Sequence, residues 1–203
     1  MKITAAATLL AACFSMLLSG CSILPEPEQL TLYDLPASQQ DQGPGDVIDV
    51  RLRVTQPEAL AMFDTSRISV RPTDIQHSYY AGVRWSERAP VLVEYRIKDA
   101  FWDYAQIAHV SSDSQRLPVD YILLSQLRAF HSIPRSNQVR VEVELSLVTA
   151  HSREIVAKTR ISAEDSFSTN DVPTVVASFG RAMDELSLKT VQWTRSELGR
   201  EQN

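Results

Sequence analysis

Alternation of period two dominates the second half of the chain. Val139, Val141, Val143, Leu145 and Leu147 alternate with Arg140, Glu142, Glu144 and Ser146. In an extended strand this puts every apolar side chain on one face. Residues 150–153 read as a turn, after which Ile155, Ala157, Thr159, Ile161 and Ala163 alternate with Glu154, Val156, Lys158 and Arg160. The two runs predict an antiparallel hairpin whose outward charges pair across the strands. The same period marks 48–54, where Ile48, Val50, Leu52 and Val54 alternate with Asp49, Arg51 and Arg53. Shorter apolar runs predict strands over 66–71, ended by Pro72, over 75–80 and over 107–110. The run 119–131 is mostly apolar and predicts a strand buried on both faces. One helical turn is expected at 58–63.

Two segments change to a period of 3.6. Ala81-Gly82 predicts a break, and residues 83–87 lead into a helix with Pro90 in its first turn, where the missing N–H costs nothing. Val93, Ile97, Ala100, Phe101 and Tyr104 then form one buried stripe, with Lys98, Asp99 and Asp103 off it. Asp171 is a suitable N-cap, with Pro173 in the first turn after it. Val172, Val175, Val176, Phe179, Met183 and Leu186 follow in helical spacing, and Gly199 is expected to end the helix after Leu198. Two helices against six or seven strands predict one α/β domain.

Ahead of this pattern lies a segment of another kind. Lys2 precedes an apolar run over 3–18, and Leu18-Ser19-Gly20-Cys21 is a lipobox. Small side chains at Ser19 and Gly20 suit a peptidase cut, and the thiol of Cys21 suits lipid transfer. The reading is a signal peptide over 1–20, a lipidated Cys21 with a flexible tether over 21–45, and a domain over 46–203. An ordinary cleaved signal or a short membrane anchor are the alternatives, although the apolar run is short of the ~20 residues that span a bilayer. Pro25, Pro27, Pro36, Pro44, Gly43 and Gly45 keep the tether extended. Its reach is at most ~80 Å, less if Leu32-Tyr33-Asp34-Leu35 docks on the domain. Ser22 rather than Asp after the lipid cysteine leans toward outer-membrane sorting, with the domain on the periplasmic face.

Composition narrows the chemistry. The chain has 203 residues, 44% hydrophobic and 22% charged, ordinary values for one globular domain. Cys13 leaves with the signal and Cys21 takes lipid, so neither a disulfide nor thiol chemistry is expected in the mature domain. The formal net charge is −5, and one unit more negative without Lys2, which argues against a nucleic-acid partner. His77, His109, His131 and His151 match no metal-ligand spacing and are expected on the surface or a sheet face, so no metal and no cofactor are expected. There is no nucleophile elbow and no phosphate loop, and an enzyme is not expected. Glu142 and Glu144 share one strand face, as an acid–base pair would, but a solvated face beside Arg140 and Lys158 is the preferred reading. Tyr79, Tyr80, Trp85, Phe101, Trp102 and Tyr104 cluster in sequence. They form either the core where helix meets sheet or an apolar groove. Tyr80, Arg84, Trp85 and Trp102 are the candidate interface or groove residues, Trp and Arg being common interface anchors.

Several short motifs carry a resemblance. Tyr33-Asp34-Leu35, Phe63-Asp64-Thr65-Ser66-Arg67-Ile68, Tyr80, Arg84-Trp85-Ser86-Glu87 and the helix from Pro90 together resemble the ABC-type transport auxiliary lipoprotein family. Thr65 replaces a basic residue of the family pattern and Ser86 an alanine. The resemblance implies a mixed sheet flanked by helices, similar to the N-terminal domain of TolB. It implies a lipoprotein held in the outer membrane beside an MCE-domain protein that carries lipid between membranes. It also implies a homo-oligomer, with a ring as one form, and no catalytic residues. A periplasmic lipid carrier, which needs an acyl-sized cavity, and an envelope hydrolase are the alternatives.

Overall fold

The computed structural model describes residues 30–38, 47–104 and 107–201. In chain order they form β1 (Thr31–Tyr33), β2 (Ile48–Val54), β3 (Glu58–Ala59), β4 (Arg67–Thr73), β5 (Gln76–Trp85), α1 (Ala89–Tyr104), β6 (Ile107–Ser112), β7 (Tyr121–Ile133), β8 (Gln138–Thr149), β9 (Ile155–Ser166) and α2 (Val172–Glu201). The expected signal, the expected lipid-bearing Cys21 and most of the expected tether lie outside the described residues.

β7 organises the sheet. One edge pairs antiparallel with β8 along its whole length, and β8 pairs with β9 as the hairpin pattern predicts. The other edge is shared. β2 pairs in parallel at Tyr121–Leu123, β3 at Gln126 and Leu127, and β4 at Ser132. β6 lies outside β2, while β5 and then β1 lie outside β4. Among the described residues the result is a mixed, forked sheet of nine strands with two α-helices. β1 and β3, too short to show a period, account for the excess over the expected six or seven.

α2 lies across β8 and β9, and α1 packs beside α2. Val139, Val141, Val143, Leu145 and Leu147 are fully enclosed, as are Val175, Phe179, Met183 and Leu186 of α2. Apolar burial at ~25 cal/mol per Å² makes this interface the main source of stability. Asp171 caps α2, accepting a hydrogen bond at 3.0 Å from the Thr174 N–H. The helix runs on through Gly199 to Glu201, where a Glu197–Arg200 ion pair at 2.8 Å supports its last turn.

Other departures have local causes. Residues 58–63 form β3 and a hydrogen-bonded turn, the Phe63 N–H donating to the Leu60 carbonyl at 2.8 Å, instead of a helical turn. β4 passes through Pro72 because Pro72 falls in a register gap between Val70 and Thr73, where no ladder N–H is needed. β5 passes through Ala81-Gly82 instead of breaking. Its register against β4 shifts between the Arg67 and Ser69 pairs, and Gly82 takes φ 69° in that bulge. β7 is buried on both faces only near its end; Leu124, Gln126 and Arg128 alternate outward to solvent before it. Glu142 is not solvated. It is buried between Arg140 at 2.6 Å and Arg160 at 3.8 Å, while Glu144 pairs with Arg160 at 3.0 Å.

Candidate docking site

The segment 30–38 crosses the domain as a strap. β1 pairs in parallel with Val83–Trp85, and the Ser86 N–H donates to the Tyr33 carbonyl at 2.8 Å. Tyr33 and Leu35 pack against the core, so the docking expected of this stretch takes the form of an added strand. Past it, Pro36 lies on α2 where Gly180 leaves room; a Cβ there would meet the proline ring at 3.1 Å. Arg96 of α1 fastens the strap. Its guanidinium donates to the Pro36 carbonyl and to the Asp184 carboxylate of α2. Both charged side chains are enclosed, at 7% and 10% exposure. Both ions are desolvated, and their pairing offsets part of that cost.

Strap and α1 bound a groove of about 460 Å³. Its apolar lining is Leu35, Leu92, Tyr95 and Trp102, and its rim carries Asp34, Asp99 and Asp103. Trp102 is 78% exposed, an unusual setting for so large an apolar side chain. It lies one position past Phe101, which the buried stripe holds inward, so helical geometry turns it out. The Lys98 ammonium sits over the Tyr95 ring at 4.4 Å.

The four candidates do not share one surface. Trp85 is 1% exposed and packs edge-on against Phe179 at 5.3 Å and beside Phe130 at 5.7 Å, so it belongs to the core. Tyr80 is half-buried; its hydroxyl donates to Asn170 Oδ1 at 2.9 Å and lies 3.1 Å from Ser132 Oγ. Burial raises its pKa, and the Ser132 bond opposes that shift. Its role is to stitch β5 to β7 and to the loop before α2. Arg84 is exposed on β5, in register between Leu32 of β1 and Arg67 of β4. Trp102 alone of the four lines the groove. Cys21 lies outside the described residues. Tyr95 and Leu92 were missed as site residues, since only the strap's path makes their face of α1 a groove.

Among the described residues no group of three or more His, Cys, Asp or Glu is placed to hold a metal, and no helix is long and apolar enough to cross a membrane.

A family model described as the ABC-type transport auxiliary lipoprotein component matches residues 33–190. An uncharacterized protein of Bradyrhizobium diazoefficiens is 28% identical over 170 residues, covering 83% of this chain and 46% of that protein. The chain therefore spans about half the length of this curated relative. The crystal structure of a Xanthomonas campestris protein of the DUF330 family is similar at TM-score 0.77 and 26% identity, over 85% of this chain and 99% of that one. Another crystal structure, of an uncharacterized protein, has TM-score 0.62 at 14% identity, over 82% of this chain and 99% of that one, a likeness of fold alone.

Proposed function

The chain belongs to the ABC-type transport auxiliary lipoprotein family, and we propose that it is the lipid-anchored subunit docking an MCE-type lipid-transport system to the outer membrane. Within the family we place it in the PqiC type, on the Arg84-Trp85-Ser86-Glu87 segment. The signal over 1–20 is removed and Cys21 carries the lipid. Each buried acyl CH₂ adds ~0.8 kcal/mol, so several chains hold where one would not. The domain faces the periplasm.

The strap is the observation that carries this reading. Because β1 begins at Thr31 and is paired into the sheet, the link between Cys21 and the sheet is no longer than residues 22–30. That link spans at most ~30 Å, well under the ~80 Å of a tether reaching to residue 45. Lipid, strap and groove are thus joined by a short run of chain, and the groove lies close to the membrane. Its aromatic floor and acidic rim suit a partner segment that is apolar and basic. Among the described residues β9 pairs with β8 alone, and an outer edge of this kind supports a homo-oligomer. Trp85, Phe101, Phe130 and Phe179 fill the core, which favours docking over a carrier that encloses an acyl chain. The role needs no catalytic group.

Crosslinking in intact cells, purification from outer membranes and mass spectrometry of the crosslinked bands test this. Recovery of an MCE-domain protein supports the docking role. Recovery of the chain alone with about one phospholipid each would replace it with the carrier role.

A further inference from the structure

The sheet face opposite the helices carries a second cluster that docking does not use. Phe130 points into the core against Phe179 at 4.8 Å, so the flanking Ala129 and His131 point to the other face. The register with β8 shifts between Leu127 and Ala129, leaving Arg128 as the extra residue of a bulge. Bulges of this kind re-aim side chains and are frequent beside functional sites. Here the bulge puts Arg128 at the mouth of a hollow of about 430 Å³ whose wall includes His131, Arg71 and Arg140.

His131 is 3% exposed, and neither ring nitrogen has a hydrogen-bond partner among the described residues. Its ring stacks on Phe63 at 5.9 Å and meets His77 edge-on at 6.1 Å. Buried polar groups are nearly always satisfied, so an orphan imidazole lining a hollow marks a place where a ligand atom belongs. The cations are unevenly committed. Arg140 is held by Glu142 and Glu164, and Arg71 donates to the Asp74 carbonyl. Arg128 makes no ion pair or hydrogen bond among the described residues. Glu142 is already shared by Arg140 and Arg160. Arg71, Arg128 and Arg140 thus face Asp74 and Glu142 around the hollow, an excess of one positive charge in a chain of net charge −5. Its lip is apolar, made by Leu60, Met62 and Ile75, and Ile75 is 95% exposed.

We propose that this hollow binds an anionic amphiphile. A carboxylate or phosphate head lies between Arg128, Arg71 and a ring N–H of His131, and an acyl or aryl body lies along Leu60, Met62 and Ile75. His131 is held neutral at neutral pH by burial, so one of its nitrogens is a donor without the cost of a buried charge. The site stands on this geometry whether or not the docking role holds.

The test uses the full lipidated chain in phosphatidylcholine nanodiscs, with an octyl phosphate bearing a terminal diazirine as photolabel. Labelling is expected at Leu60, Met62 and Ile75. Octyl phosphate or octanoate should displace it, and octyltrimethylammonium should not. Whichever of the two anions competes better identifies the head group. Arg128→Gln should weaken labelling about tenfold, the loss of one charge-assisted hydrogen bond. Ile75→Ser should weaken octyl phosphate while leaving competition by inorganic phosphate unchanged. Both positions are exposed, and thermal melts confirm that the variants fold. Labelling elsewhere, displacement by the cationic surfactant, or an unaffected Arg128→Gln would overturn the site. Inorganic phosphate competing as well as octyl phosphate would overturn the amphiphile assignment.

Discussion

Burial holds the His131 imidazole at about 4, with Arg71, His77 and Arg140 lowering it further and Glu142 opposing them. The unfolded chain titrates it near the ordinary value of ~6.5. Above that pH both states are neutral and the stabilisation is complete. As pH falls from 6.5 toward 4 the unfolded chain takes up a proton that the folded one refuses, so stability is lost. The expected loss between pH 7 and pH 4.5 is about 2 to 3 kcal/mol. His77, also lowered by burial, adds in the same direction. Urea melts at the two pH values check this: His131→Gln should lose that much less than the parent protein, and equal losses would contradict it. Trp85→Ala removes one ring of the mutually packed Trp85, Phe130 and Phe179 group and should cost about 3 to 5 kcal/mol in the same melts. Trp102→Ala should leave stability within about 0.5 kcal/mol. The outward place of Trp102 was legible, because Val93, Ile97, Ala100 and Phe101 fix the stripe that excludes it. The inward place of Trp85 was not, because the expected break at Gly82 hid the strand that carries it. His131 looked like any strand-face histidine; only the folding of Phe63 and His77 over it makes it buried.

At the scale of elements, the strap and the two helices act through one buried ion pair. Arg96→Ala removes the buried cation that joins Asp184 to the Pro36 carbonyl and should cost about 3 to 5 kcal/mol by urea denaturation. Gly180→Ala forces its methyl against the Pro36 ring and should cost about 1 to 2 kcal/mol. It should also lower amide-exchange protection at Ser86, whose N–H is bonded to Tyr33, while leaving β8 protected. Equal protection in the variant would show that the strap does not depend on this close approach. The hairpin of β8 and β9 and both helices were readable because each repeats one period for three or more cycles. β1 and β3 were not, being two or three residues long with no room for a period. The β5 bulge and the passage of β4 through Pro72 follow from partner register, which no local pattern reports.

For the whole molecule, fold class was legible and the forked topology was not: nothing in the sequence of β7 says that three strands divide its second edge. The groove was half legible, since α1 supplies Trp102 and residues 32–35 are apolar enough to dock, but no local pattern gives the path by which they wall it. Lipid anchoring leads to a separate prediction. Cys21→Ala should remain folded yet leave the outer-membrane fraction on cell fractionation; retention there would mean that something other than lipid holds it. The docking role itself is tested most directly by a photocrosslinking amino acid at position 102 in intact cells. The account predicts a crosslink to an MCE-domain protein that is lost when Cys21→Ala is combined with it and weakened by Asp99→Lys. An exposed position 102 that crosslinks to no such protein, in cells where the lipidated chain is present in the outer membrane, would contradict it.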